Sequence, residues 1–150
     1  MKCILSLVFL CSVVNFSQAQ STEDSVKTAV NEMFTAMKNA DTVALKNCFS
    51  ESAVLQTIGR TKEGQTIVRT EPLSGFASSV GKLGKGDADE RIVFGAVHID
   101  GPMASVWTPY EFYFKGNFSH CGVNSFPLVR LNGVWKVQYI IDTRRKEGCK

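Results

Sequence analysis

Apolar and polar positions alternate with a period of two through the last third of the chain, the mark of strands lying on a core. Three long strands are expected there, at Met103–Phe114, Asn117–Leu131 and residues 134–143. Asn132-Gly133, between the last two, suits the positive φ angles of a two-residue hairpin turn. This meander carries both tryptophans and all three tyrosines, so it is expected to form the wall of any pocket.

The beginning of the chain has a helical period instead. Val26, Ala29, Val30, Met33, Phe34 and Met37 form one apolar stripe, behind Ser21 or Thr22 as cap and Glu23 and Asp24 at the positive end of the dipole. Asp41 can cap a second, shorter helix with Val43, Ala44, Leu45, Cys48 and Phe49 inward. Residues 53–58 and 65–69 read as a hairpin. Pro72 suits the first turn of a third helix, Leu73–Val80, and residues 81–86 read as a linker. Their Gly-Lys-Leu-Gly-Lys-Gly lacks the Ser or Thr of a phosphate loop and follows a helix rather than a strand. Residues 88–100 are expected to form one strand leading into the meander. Helices in the N-terminal half and strands after them give an α+β class. The expected form is a cone-shaped roll: three helices on a strongly curved, mostly antiparallel mixed sheet of about six strands, open at one end.

Composition changes the picture at the N-terminus. A basic start is followed by an apolar run over residues 3–16 and by Ser17-Gln18-Ala19, with small residues at the −3 and −1 positions of a signal-peptidase site. Residues 1–19 are therefore expected to be a signal peptide cleaved after Ala19, and residues 20–150 a single domain, exported to a periplasm or secreted. The run is shorter than the roughly 20 residues that span a bilayer, so no stable membrane insertion is expected after cleavage. A lipid anchor at Cys11 ranks lower, because Leu10 is bulky. The net charge of +3 falls to +2 without Lys2 and is scattered, which argues against nucleic acid. Cys48, Cys121 and Cys149 match no zinc spacing, and neither metal nor cofactor is expected. A two-residue turn at Asn132-Gly133 puts Cys121 opposite Arg144. The chain beyond Arg145 could then return Cys149 to Cys121 as a disulfide, the alternative being three reduced thiols.

The order of elements, with Trp107-Thr-Pro-Tyr-Glu-Phe-Tyr-Phe114, His120-Cys-Gly-Val-Asn124 and Trp135…Ile141-Asp-Thr-Arg-Arg145, resembles the nuclear transport factor 2-like superfamily. More narrowly it resembles small exported bacterial proteins labelled SnoaL-like or putative lumazine-binding. The resemblance implies a pocket between sheet and helices and a homodimer packed through the sheet. The superfamily includes ketosteroid isomerase, scytalone dehydratase and limonene epoxide hydrolase, in which an acid or His works with Tyr hydroxyls inside an apolar cone. Fold alone does not carry a reaction across.

Strand alternation places Phe118, His120, Gly122, Asn124, Phe126 and Leu128 on one face, with Trp135, Val137, Tyr139, Ile141 and Thr143 opposite them. Asp142 falls on the other face unless a bulge intervenes. The Lys115-Gly116 turn leaves two settings. A two-residue loop brings Trp107, Glu111 and Tyr113 to the His120 side; a three-residue loop brings Val106, Tyr110 and Phe112, the more apolar and preferred set. Pro109 cannot donate to a ladder, so a bulge there could switch faces midway. The expected site is an aromatic pocket of Trp107, Tyr110, Phe112, Phe126 and Tyr139, with His120 and Asn124 orienting a small apolar or aromatic molecule. Asp142, Arg144 and Arg145 are expected at the rim. A catalytic version would use His120 as general base, assisted by Tyr110 or Glu111. A third version is a structural module with the cone filled by side chains.

Overall fold

The computed structural model describes residues 21–149; the expected signal peptide lies outside them. Among the described residues the order is α1 (Thr22–Lys38), α2 (Thr42–Asn47), β1 (Phe49–Arg60), β2 (Thr66–Glu71), α3 (Leu73–Val80), β3 (Ala88–Ile92), β4 (Ala96–Asp100), β5 (Met103–Phe114), β6 (Asn117–Leu131) and β7 (Val134–Arg145). α1 and α2 start where side chains can satisfy free backbone N–H groups, whereas α3 follows Pro72, which offers no side-chain cap. Ser21 Oγ accepts from Asp24 N at 3.0 Å, and the Asp41 carboxylate accepts from the backbone of Val43 and Ala44. The α1 stripe is buried as expected except at Ala29, which is half-buried. Val43 is not: it is 69% exposed, because α2 is only six residues long and turns Leu45 inward instead. Phe49 begins β1 rather than ending α2.

The sheet runs β2-β1-β7-β6-β5-β3, with β4 also on β5, and every pairing is antiparallel except β1 with β7. Among the described residues it therefore has seven strands rather than about six. The extra one comes from residues 88–100, expected as one strand and found as two that both pair with β5. The break lies opposite Pro109, which has no N–H to give. Val93 donates to the carbonyl of Pro109 and Gly95 to that of Trp107, so residues 93–95 bow out between β3 and β4.

Two more irregularities fix which residues face the helices. The Lys115-Gly116 turn is a two-residue hairpin, both residues at positive φ and Phe114 opposite Asn117. Past Phe118, however, Ser119 is extra, and Phe112 pairs with His120. The bulge delivers the inward set expected from a three-residue loop: Val106, Tyr110 and Phe112. In the β6–β7 hairpin the register shifts by one residue between Ser125 and Leu128, beside Pro127. Cys121 consequently lies opposite Arg145 rather than Arg144. The core under the sheet is built from Val26, Val30 and Leu45 of the helices against Val106, Phe126 and Leu128. Each such side chain, fully buried, contributes about 1.5–3 kcal/mol. A disulfide joins Cys121 to Cys149, and Cys48 is a half-buried free thiol donating to the Ala44 carbonyl.

Candidate functional site

Between sheet and helices the structure holds a cavity of about 370 Å³. Its body is apolar. Met33, Phe34 and Met37 come from α1, Phe76 and Val80 from α3, and Ile140 from β7. Its polar end is built by five strands, β1, β3, β5, β6 and β7.

Asp142 is the anchor of that end. The β6–β7 bulge turns it inward, against the strict alternation that placed it outside. It is 93% buried and fully engaged. Thr57 Oγ1 donates to its Oδ1 at 2.6 Å, while Arg144 Nε donates to its Oδ2 at 2.8 Å. The Tyr110 hydroxyl lies 3.2 Å from the same Oδ2 and 2.9 Å from the Thr143 carbonyl, to which it can donate. Arg144 also donates through Nη2 to Thr57 Oγ1 at 3.2 Å. Burial, and after it the neighbouring Asp142 and Glu90, push the Tyr110 phenol well above its ordinary range, so it stays protonated. Its ring lies across Gly122, its cross-strand partner. A Cβ on Gly122 would stand 1.8 Å from the Thr143 carbonyl oxygen and 2.8 Å from Tyr110 Cε1, so both contacts require glycine.

Glu90 of β3 is the second carboxyl, and the sequence reading did not single it out. Asn124 Nδ2 donates to its Oε1 at 2.7 Å and also approaches Thr108 Oγ1 at 3.4 Å. The residue keeps some accessible surface where it opens on the cavity, but protein atoms ring its carboxyl. Burial pushes that carboxyl up to about 7; Asp142 pushes the same way, and the Asn124 hydrogen bond and Arg144 only partly offset them. It can therefore gain or lose a proton near neutrality. Ala88, Glu90 and Ile92 share a strand face, and this period-two pattern of an acid between apolar residues was a usable signal.

His120 lines the cavity, packed edge-on to the Tyr110 ring at 5.7 Å and tilted on Phe112 at 5.0 Å. Its Nδ1 lies 3.1 Å from Ser119 Oγ. Burial, and then Arg144, hold the imidazole below its usual range against the pull of Asp142, which favours the neutral ring. Among the described residues no carboxylate hydrogen-bonds to it, as an oriented general base would require.

The structure thus brings Tyr110, Phe112, His120, Asn124, Asp142 and Arg144 together on one cavity. Other expected site residues lie elsewhere. Trp107 is 50% exposed on the outer face, because β5 keeps strict alternation through Pro109 and the break falls on β3–β4 instead. Glu111 shares that outer side and accepts from the Tyr113 hydroxyl. Phe126 is fully buried in the core, edge-on to Phe34, and does not line the cavity. Tyr139 lies beyond the β6–β7 bulge, so its face is inverted, and its hydroxyl donates to Gln56. Ile141 and Thr143 are inverted with it. Arg145 donates to the Gly148 carbonyl in the C-terminal turn rather than standing at the rim. Among the described residues no group of three or more His, Cys, Asp or Glu is arranged to hold a metal ion.

No family model matches the chain, and no curated protein matches it. Solved structures do. An NTF2-like protein of unknown function from Shewanella baltica superposes with a TM-score of 0.64 at 14% identity, over 83% of this chain and 94% of that one. A cystatin-like-fold protein from Nostoc punctiforme gives 0.65 at 8% identity, over 85% and 95%. An NTF2-like protein from Cytophaga hutchinsonii gives 0.62 at 15% identity, over 84% and 100%. Taken with the three helices, the seven-stranded mixed sheet and the cavity between them, these likenesses show that the chain has the nuclear transport factor 2-like, cystatin-like fold.

Proposed function

We propose that the protein binds a small, largely apolar molecule in its cone and does not turn it over. The observation that carries this reading is the cavity itself. Met33, Met37 and Phe76 line it rather than fill it, and about 370 Å³ lies in the range of small-molecule pockets. An apolar body with a few convergent polar groups at one end suits binding with a fixed orientation. The catalytic alternative has less support, since among the described residues no acid orients His120, and Asp142 already accepts from Thr57, Arg144 and Tyr110. The test uses the neutral fluorescent probe N-phenyl-1-naphthylamine. The protein should enhance its emission saturably, and Ser79→Trp, which adds bulk at an exposed lining position, should abolish the enhancement without lowering the melting temperature. Failure of the natural protein to bind the dye, or equal binding by the variant, rules the reading out.

The same reading takes the protein as exported after cleavage behind Ala19 and paired as a homodimer through its sheet. The Cys121–Cys149 disulfide suits an oxidising compartment. Met103 and Trp107 supply exposed apolar surface on the outer face of β5. N-terminal sequencing of protein recovered from its own cells should begin at Gln20. Light scattering should give a dimer that Trp107→Glu converts to monomer.

A further inference from the structure

The polar end of the cone is unbalanced in a way that points to its ligand, if the binding reading above holds. Three carboxylates line the cavity, those of Glu90, Asp142 and the exposed Glu71 of β2, against a single guanidinium, Arg144. That guanidinium is committed to Asp142 and Thr57. From the other elements the cavity receives nothing that could balance Glu90. α1 contributes Met33, Phe34 and Met37; α3 contributes Phe76, Ser79 and Val80. β5 offers the Tyr110 phenol, whose hydrogen bonds go to β7, and β6 offers a His120 held toward its neutral form. Among the described residues the sole donor to Glu90 is the Asn124 amide, and it takes only Oε1. Oε2 has no partner. Among the described residues no fully enclosed side-chain oxygen lacks one, so Oε2 keeps some exposure, and Glu90 lines the cavity. A carboxylate held among apolar walls calls for a cation, and a charge-assisted hydrogen bond outweighs the neutral one that a carbonyl or hydroxyl ligand could make. An anionic ligand would meet repulsion from Glu90 and Glu71, with Arg144 already committed to Asp142.

We infer that the molecule held in the cone carries a protonated amine, which pairs with Oε2 of Glu90 while its apolar body lies against α1 and α3. The pair forms only with the ionised carboxyl, so an ammonium ligand expels a proton when it binds. Its apparent affinity then falls about tenfold per pH unit once the pH drops below the range in which Glu90 ionises.

The test compares three ligands of one shape, 2-phenylethylamine, 2-phenylethanol and 3-phenylpropionate. Each competes with N-phenyl-1-naphthylamine at pH 8 and pH 5, against the natural protein and Glu90→Gln, an amide of nearly the same size. The amine should bind at least about tenfold tighter than the alcohol at pH 8, and that advantage should shrink toward parity at pH 5. In Glu90→Gln the advantage should be absent at both pH values. Calorimetry in buffers of different ionisation enthalpy should record about half a proton released per amine bound at pH 7. If the dye binds but the alcohol or the acid competes as well as the amine, the inference fails and the binding reading stands. If neither the dye nor any of the three binds, both fall together.

Discussion

The two halves of the β6–β7 hairpin are made from the same pair of strands and do opposite things. Near the Asn132-Gly133 turn, Leu128 and Val137 face each other in a closed apolar core with Trp135. At the far end Asn124 faces Asp142 and Gly122 faces Arg144, and the space beneath them is open. Between the halves lies one register shift beside Pro127. A single residue out of step reverses every side chain beyond it, so the bulge exchanges Ile141 and Thr143 for Ile140, Asp142 and Arg144 on the inner face. A strand can thus be half core and half site, with the bulge deciding which of its residues face inward in each half.

The largest expected effect lies in the closed half. Phe126→Ala should lower the unfolding free energy by about 3–5 kcal/mol, measured by urea denaturation, because Phe126 has no exposed surface and packs edge-on to Phe34 at 5.9 Å. A loss under about 1 kcal/mol would mean that this half is as loosely packed as the other. In the open half, Gly122→Ala should cost about 3 kcal/mol, since the new Cβ collides with backbone that cannot move aside cheaply. The same variant should displace Tyr110 and weaken dye binding, whereas Phe126→Ala should spare the dye at temperatures where the protein stays folded. Equal loss of dye binding in both would erase the distinction between the halves.

The smallest effect is opposite in sign and depends on pH. The Glu90 carboxyl is raised on folding from its ordinary 4.5 to about 7, so the folded protein holds that proton more tightly than the unfolded chain. The stability it contributes is full below pH 4.5, is lost as the pH rises toward 7, and is gone above that. Glu90→Gln, which cannot ionise, should match the natural protein at pH 4 and be more stable by about 1–2 kcal/mol at pH 8. Parallel stability curves for the two proteins would show that the polar end is better solvated than its geometry implies.

Much of the frame was legible because local chemistry dictates it. Ser21 and Asp41 cap helices where hydroxyl and carboxylate oxygens meet free N–H groups. Asn132-Gly133 turns where φ must be positive, and the α1 stripe repeats at 3.6 residues. His120, Asn124, Tyr110 and Phe112 could be placed on one wall by alternation alone. Asp142 could not, because alternation counts residues, and the shift beside Pro127 appears only when two strands distant in sequence settle their register. Trp107 and Tyr139 were misplaced for the same cause, one by a face switch that did not occur at Pro109 and one by a switch that did occur near Pro127. Glu90 carried a readable local pattern. Its importance comes from meeting Asn124, 34 residues away, under a roof of helix side chains.

The sequence by itself determined the helices, most of the strands, their order and the apolar character of the cone, since propensity, capping and periodicity act within a few residues of each other. The tertiary structure alone decided which carboxyls look into the cavity and which of them is left with a free oxygen. Those facts depend on pairing register and on desolvation by distant side chains, and neither is a property of any stretch of chain taken alone.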